Sequence, residues 1–172
     1  MLPSSFTLTI RSLENFAWEL SASQVLPLPR EQAFVFFEDP RNLFDITPDW
    51  LRFVMKDRES KTEMLEGAEF DYTIRWLGVT LHWTSRIEAY RPPEQFTDVQ
   101  LVGPYRSWRH RHTFEEVPGG TLMRDIVTYQ LPFGPLGSVA HTLAVRHQLK
   151  NIFRYRAARI NEWARGTFRK KG

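Results

Sequence analysis

Phe16, Trp18, Leu20 and Ala22 fall two residues apart, with Glu19, Ser21 and Ser23 between them. A period of two with one apolar face describes an antiparallel strand buried on one side. Phe6, Leu8 and Ile10 alternate with Thr7 and Thr9 in a weaker version of the same pattern. Pro27 and Pro29 end the extended run, since proline cannot donate to a sheet ladder. Arg30 to Phe37 reads as a short helix with Ala33, Phe34 and Phe37 on one face, stopped at Asp39-Pro40. Asn42 to Ile46 is a second short helix candidate.

Leu51 to Met55 predicts a short strand, and longer ones follow. In Ala68 to Leu77, Phe70, Tyr72, Ile74 and Trp76 oppose Glu69, Asp71, Thr73 and Arg75. In Val79 to Tyr90, Leu81, Trp83, Ser85 and Ile87 oppose His82, Thr84, Arg86 and Glu88. Gln95 to Val102, Arg106 to Glu116 and Thr121 to Leu131 complete the series. Gly78, Pro92-Pro93, Gly103-Pro104 and Pro118-Gly119-Gly120 punctuate it, as expected for a meander of hairpins. The period then changes. Ser138 to about Arg165 contains neither Pro nor Gly, and Val139, Leu143, Leu149, Ile152, Phe153, Ile160 and Trp163 recur near helical spacing. Such a helix spans about 42 Å and needs a wide object to lie across, which is the sheet. The expected fold is α+β, a helix-grip arrangement with a curved seven-stranded antiparallel sheet around a long C-terminal helix. One domain, 1–172, is expected, with 1–12 as an N-terminal extension and 166–172 as a basic tail.

Three stretches carry a resemblance to a known family. They are Asp39-Pro-Arg-Asn-Leu-Phe-Asp-Ile-Thr-Pro-Asp-Trp-Leu51, Gly103-Pro-Tyr-Arg-Ser-Trp-Arg-His-Arg-His-Thr-Phe114 and Arg124-Asp-Ile-Val-Thr-Tyr-Gln-Leu-Pro-Phe-Gly134. Together they resemble the polyketide cyclase/dehydrase-like branch of the START-like (SRPBCC) superfamily, from about Phe16 to Tyr155. The resemblance implies a cavity between sheet and helix that takes a hydrophobic or aromatic small molecule. It implies no particular reaction, because the superfamily includes both enzymes and carriers.

Alternation also places polar groups on faces that are otherwise apolar. His110 and His112 share the face of Trp108 and Phe114. Asp98 and Gln100 share that of Phe96 and Val102, and Asp125 and Tyr129 share that of Met123, Val127 and Leu131. Buried polar groups need partners, and these can satisfy one another. Four readings stay open: a closed core network, the polar end of a ligand cavity, acid–base chemistry by a histidine oriented by an aspartate, and a metal site. His-x-His spacing alone does not call for a metal and the resemblance implies none, so neither metal nor cofactor is expected. Tyr72 and Trp83 join the candidate ligand-binding residues as aromatic walls. The alternative functions are a cyclase or dehydratase acting through His110, His112 and Asp125, and a lipid or quinone carrier at a membrane surface.

Composition narrows the partners. The 172 residues are 42% hydrophobic, 25% charged and 14% aromatic, the balance of a folded chain with large plates in its core or lining a cavity. Without cysteine, thiol catalysis and disulfides are excluded, which is compatible with a cytoplasmic setting. No apolar run approaches the roughly 18 residues of a membrane helix, and the first residues do not read as a secretory signal. From His141 onward there are nine Lys or Arg against one acid, Glu162. Peripheral contact with an anionic membrane through that segment is expected to be weak. Arg106, Arg109 and Arg111 form an outward basic stripe, but Trp108 faces away from them, so no nucleic acid partner is expected.

Overall fold

A computed structural model describes residues 5–56, 63–76 and 78–166. The basic run Arg169-Lys170-Lys171 and the strand end Leu77 lie outside the described residues. Eight strands form one antiparallel sheet: β1 Thr7–Ser12, β2 Ala17–Leu26, β3 Val54–Met55, β4 Glu69–Trp76, β5 Val79–Arg91, β6 Gln95–Val102, β7 Ser107–Val117 and β8 Gly120–Gln130. Their order is β1-β2-β8-β7-β6-β5-β4-β3. Two short helices, α1 Arg30–Glu38 and α2 Asn42–Ile46, lie between β2 and β3. The C-terminal helix spans 30 residues as α3 Pro135–Ala140, a π-helical stretch His141–Val145, and α4 Arg146–Ala164. This is the helix-grip arrangement.

Several sequence expectations are corrected. The sheet has eight strands rather than seven, because Thr7–Ser12 pairs with β2 as an edge strand instead of lying apart as an extension. Phe16 does not share the buried face of Trp18. Asn15 and Phe16 both have φ of 56°, and this left-handed pair turns β1 into β2 with Phe16 half exposed. The pairing at β3 covers only Val54–Met55, since Asp49–Leu51 forms a 3-10 turn. The long helix starts at Pro135, not near Ser138, with proline at its first turn, where a missing N–H costs nothing. Gly137 fits there because a Cβ would lie 2.4 Å from the Pro132 carbonyl oxygen. Val139 and Leu143 point to solvent, and Val102 is 53% exposed at the end of β6.

Two apolar clusters lie between sheet and helix. One gathers Phe34, Phe36 and Phe37 of α1 with Phe96, Phe114, Met123 and Ile160. Phe34 meets Phe96 edge-on at 6.0 Å and Phe114 at 5.4 Å, arrangements aromatic pairs favour. The second gathers Trp18, Leu20, Val127 and Tyr129 with Val145, Leu149 and Phe153 of the C-terminal helix. The buried stripe of α4, Leu149, Phe153, Ala157, Ile160 and Ala164, has the three-and-four spacing that keeps one helix face on a sheet.

Candidate functional site

Register decides which side chains meet. His110 lies opposite Asp98 on β6 and opposite Val127 on β8. His112 lies opposite Phe96 on β6 and Asp125 on β8. Side chains on one face of adjacent strands reach both their direct and their diagonal neighbours, so two histidines and two aspartates form a single group across three strands. His110 Nε2 is 2.9 Å from Asp125 Oδ1, and His112 Nδ1 is 2.8 Å from the same oxygen. On the other side, His112 Nε2 is 3.3 Å and His110 Nδ1 is 3.8 Å from Asp98 Oδ2. The His112 Nδ1 contact is short but not directed as a hydrogen bond, which leaves that nitrogen without a well-aligned partner. The imidazoles sit with ring centres 3.8 Å apart, and His112 also stacks on Phe96 at 4.1 Å.

The electrostatics follow from this packing. Burial alone would raise the Asp125 carboxyl, but the close contacts and charges of His110 and His112 hold it well below the usual carboxylate range. Burial likewise opposes ionisation of Asp98, and His112, His110 and Arg156 outweigh it. Burial and the neighbouring His112 push His110 down. Burial also works against His112, yet its close contacts with Asp125 and Asp98 carry it above the ordinary histidine value. The two rings are thus pushed in opposite senses, His110 toward its neutral form and His112 toward its charged one. Asp98, His110 and His112 also bring one donor atom each within 4.8 Å of one another, the spacing a three-donor metal set requires.

Beside this group lies a cavity of about 480 Å³, between the sheet and the C-terminal helix. That volume is in the range of small-molecule sites, about 300–1,000 Å³. Among the sequence candidates Tyr72, Trp83, Asp98, Trp108, His110 and His112 line it. Trp83 stacks on Tyr72 at 5.9 Å and meets Trp108 edge-on at 5.4 Å. The Trp83 indole donates to Ser85 Oγ at 3.1 Å, and the Tyr72 hydroxyl is 3.0 Å from the same oxygen. Burial, then the nearby Asp98 charge, raises Tyr72, so its hydroxyl stays protonated.

Three candidates lie elsewhere. Asp125 sits behind the histidines, off the cavity wall. Gln100 donates to the Tyr105 carbonyl at 2.7 Å and so ties the loop after β6 instead of joining the histidines. The Tyr129 hydroxyl is 2.8 Å from His141 Nε2, away from the group. His141, Ser85 and Arg156 are the residues sequence reasoning missed. Arg156 follows Phe153 by one helical turn and lines the cavity with its guanidinium 5.6 Å from that ring, while its Nε has no hydrogen-bond partner among the described residues. Its spacing from Phe153 and Ile160 was the available signal. His141 opens the π-helical stretch and stacks on Trp18 at 4.1 Å.

Comparison with known proteins bears on this geometry. The family described as polyketide cyclase / dehydrase and lipid transport matches residues 26–152. The chain belongs to that family. No curated protein matches this member. Among solved structures, Ms6760 from Mycobacterium smegmatis is 16% identical with a TM-score of 0.64, over 94% of this chain and 99% of its own. Ara h 8.0201 is 16% identical with a TM-score of 0.58, over 84% and 97%. A nucleoside-diphosphate sugar epimerase from Corynebacterium glutamicum is 24% identical with a TM-score of 0.61, over 83% of this chain but 28% of that one. These likenesses establish the fold that this polyketide cyclase/dehydrase family member shares with them.

Proposed function

We propose that the protein binds a hydrophobic or aromatic small molecule in the cavity between sheet and helix, with a polar atom of that molecule against Asp98, His110 and His112. The observation that carries this reading is the composition of the wall. Trp83, Trp108 and Phe153 supply apolar faces, while the two histidines and Arg156 bring donors to one region. A guanidinium nitrogen left unpaired among aromatic rings is costly, and an acceptor on a ligand offsets that cost. Family membership supports ligand binding in general.

The test uses the naphthalene dye 1-anilinonaphthalene-8-sulfonate. The wild-type protein saturates at one dye per chain. The double variant Leu81→Trp/Ile152→Trp, which crowds the cavity from both sheet and helix, loses more than tenfold in affinity while keeping its far-UV circular dichroism. Equal affinity in the crowded variant puts the dye outside the cavity and removes the reading.

A second observation favours the carrier alternative over a purely enclosed binder. Phe133, Leu136, Val139 and Leu143 are 80%, 74%, 56% and 78% exposed. The last three follow helical spacing, and Phe133 and Leu136 also line the cavity. Exposed Arg146 and His147 come three and four residues after Leu143. An apolar ridge at a cavity edge with cations beside it suits the surface of an anionic membrane. No helix among the described residues is long and apolar enough to cross a membrane, so contact of this kind would be peripheral.

A further inference from the structure

The geometry points to a divalent transition-metal site formed by Asp98, His110 and His112, with its remaining coordination positions open to the cavity. Each histidine has one ring nitrogen against Asp125 Oδ1, His110 by Nε2 at 2.9 Å and His112 by Nδ1 at 2.8 Å. The opposite nitrogens, His110 Nδ1 and His112 Nε2, both turn toward Asp98 Oδ2. In histidine-bound metal centres one nitrogen meets the ion and the other is held by a carboxylate, which fixes the ring and its tautomer. Here Asp125 holds the His110 ring from that outer position by a hydrogen bond, and its same oxygen lies 2.8 Å from His112 Nδ1 without the alignment of one.

Distances agree with such a site. Bonds of about 2.0–2.1 Å at a tetrahedral angle place two donor atoms about 3.3 Å apart. His112 Nε2 and Asp98 Oδ2 are 3.3 Å apart, and His110 Nδ1 lies 3.8 Å from that oxygen. A small turn of the His110 ring closes the difference. Charge agrees as well. When both imidazoles act as neutral ligands, the carboxylates of buried Asp125 and partly buried Asp98 carry two negative charges, which one divalent ion neutralises. Without the ion, a proton on the pair and Arg156 supply the compensation.

Two imidazoles and one carboxylate suit zinc, iron(II), cobalt(II) or nickel(II) rather than calcium or magnesium, which prefer all-oxygen sets. Three protein donors with vacant positions are the pattern of a site that accepts an exogenous ligand, whereas structural zinc sites are closed by four. Asp98, His110 and His112 all line the cavity, and the positions left open are assigned to that side. An ion there would hold an anionic oxygen of the cavity's occupant, an enolate, phenolate or carboxylate, and act on it as a Lewis acid. Only this last step rests on the ligand reading. The metal site itself does not.

The experiment titrates chelator-treated full-length protein with zinc(II) by calorimetry and with cobalt(II) by visible absorption. The expected result is one ion per chain, with cobalt bands stronger than those of the hydrated ion. Asp98→Asn and His110→Ala/His112→Ala each weaken zinc binding more than tenfold and abolish the cobalt bands. Asp125→Asn keeps the stoichiometry and weakens binding about 10–100-fold. Exposed His82 and His147 remain in every variant and set the background. Zinc affinity equal in wild type and variants, or a cobalt spectrum that stays that of the hydrated ion, overturns the inference. Should the double histidine variant fail to fold, Asp98→Asn decides by the same criteria. The dye titration needs no metal, so failure here and failure of the cavity reading are told apart.

Discussion

The contact between Tyr129 and His141 offers a test that reads both the π-helical stretch and the second apolar cluster. His141 is buried, stacks on Trp18 and lies 2.8 Å from the Tyr129 hydroxyl. Burial, then the charge of Arg146, lowers its pKa from 6.5 to about 4. At neutral pH the ring is therefore uncharged and shares a hydrogen bond with the tyrosine hydroxyl through Nε2. A histidine whose folded pKa is depressed binds fewer protons than the same residue in the unfolded chain between pH 6.5 and about 4. Stability must then fall as pH drops through that window, and the contribution is complete above 6.5. The full shift corresponds to about 3 kcal/mol, and allowance for solvent screening reduces it to about 1–2 kcal/mol.

The perturbation is a set of three variants, Tyr129→Phe, His141→Phe and both together. Each single change strands one buried polar atom and costs about 1–3 kcal/mol at pH 7.5. The double change replaces both partners with apolar rings of similar shape and costs less than the sum of the two. Urea unfolding at pH 7.5 and 4.5 supplies the stabilities. His110 shifts in the same direction as His141 and His112 in the opposite one, but both are present in every variant and cancel in the difference. The wild type should lose about 1–2 kcal/mol more than the double variant between the two pH values. Parallel pH profiles, or strictly additive single costs, would refute the reasoning.

The apolar ridge gives a membrane prediction: the protein should sediment with anionic vesicles at low salt and release as salt rises, since exposed charges are screened beyond about 8 Å at physiological ionic strength. Leu136→Asp/Leu143→Asp should reduce that binding at least tenfold without lowering stability, and equal binding to neutral vesicles would remove the charge argument. At Gly120, where φ is +143°, an added Cβ would lie 1.9 Å from the Leu26 carbonyl oxygen. Gly120→Ala should therefore cost about 2–4 kcal/mol, or roughly 5–15 °C in melting temperature, and a thermal melt within 2 °C or so of wild type would contradict it.

Strand parity was legible because period two is strict. Every even step from Trp108 to Phe114 and from Met123 to Leu131 turns toward the helix, so the histidine pair and Asp125 could be placed from spacing alone. Asp98 was harder, since Val99 and Leu101 compete with Phe96 for the phase of β6. The helix was legible in its α4 half, where Leu149, Phe153 and Ile160 keep one stripe. It was not legible before Arg146, because a π-helical stretch rotates the residues that follow it relative to those before it. Val139 and Leu143 consequently leave the buried face on which an unbroken helix would have placed them. Gln100 and Tyr129 do not join the histidines as their shared faces suggested, because a sequence pattern cannot tell which polar group reaches which. Their partners, the Tyr105 backbone and His141, are set by a loop and by that same helical irregularity.

The polar group also lies where the two apolar clusters meet. His112 stacks on Phe96 of the first, and His110 faces Phe153 of the second at 5.7 Å. Register shifts in β5 at Thr84/Ser85 and Ile87/Ala89 interrupt its pairing with β6, and β-bulges of this kind bend a strand and strengthen its twist. Stiff rings such as Trp83 and Trp108 do not collapse into the space a bent sheet leaves, which is how a cavity survives in so small a chain. Stability alone does not call for carboxylates and imidazoles at that junction. Apolar residues of similar volume are often as good or better, because taking two ionised groups out of water costs several kcal/mol. The arrangement becomes economical once the exposed side of the group meets something that needs it. Under the two proposals above, an ion held by His110 and His112, or an oxygen of a bound molecule, would offset part of that cost.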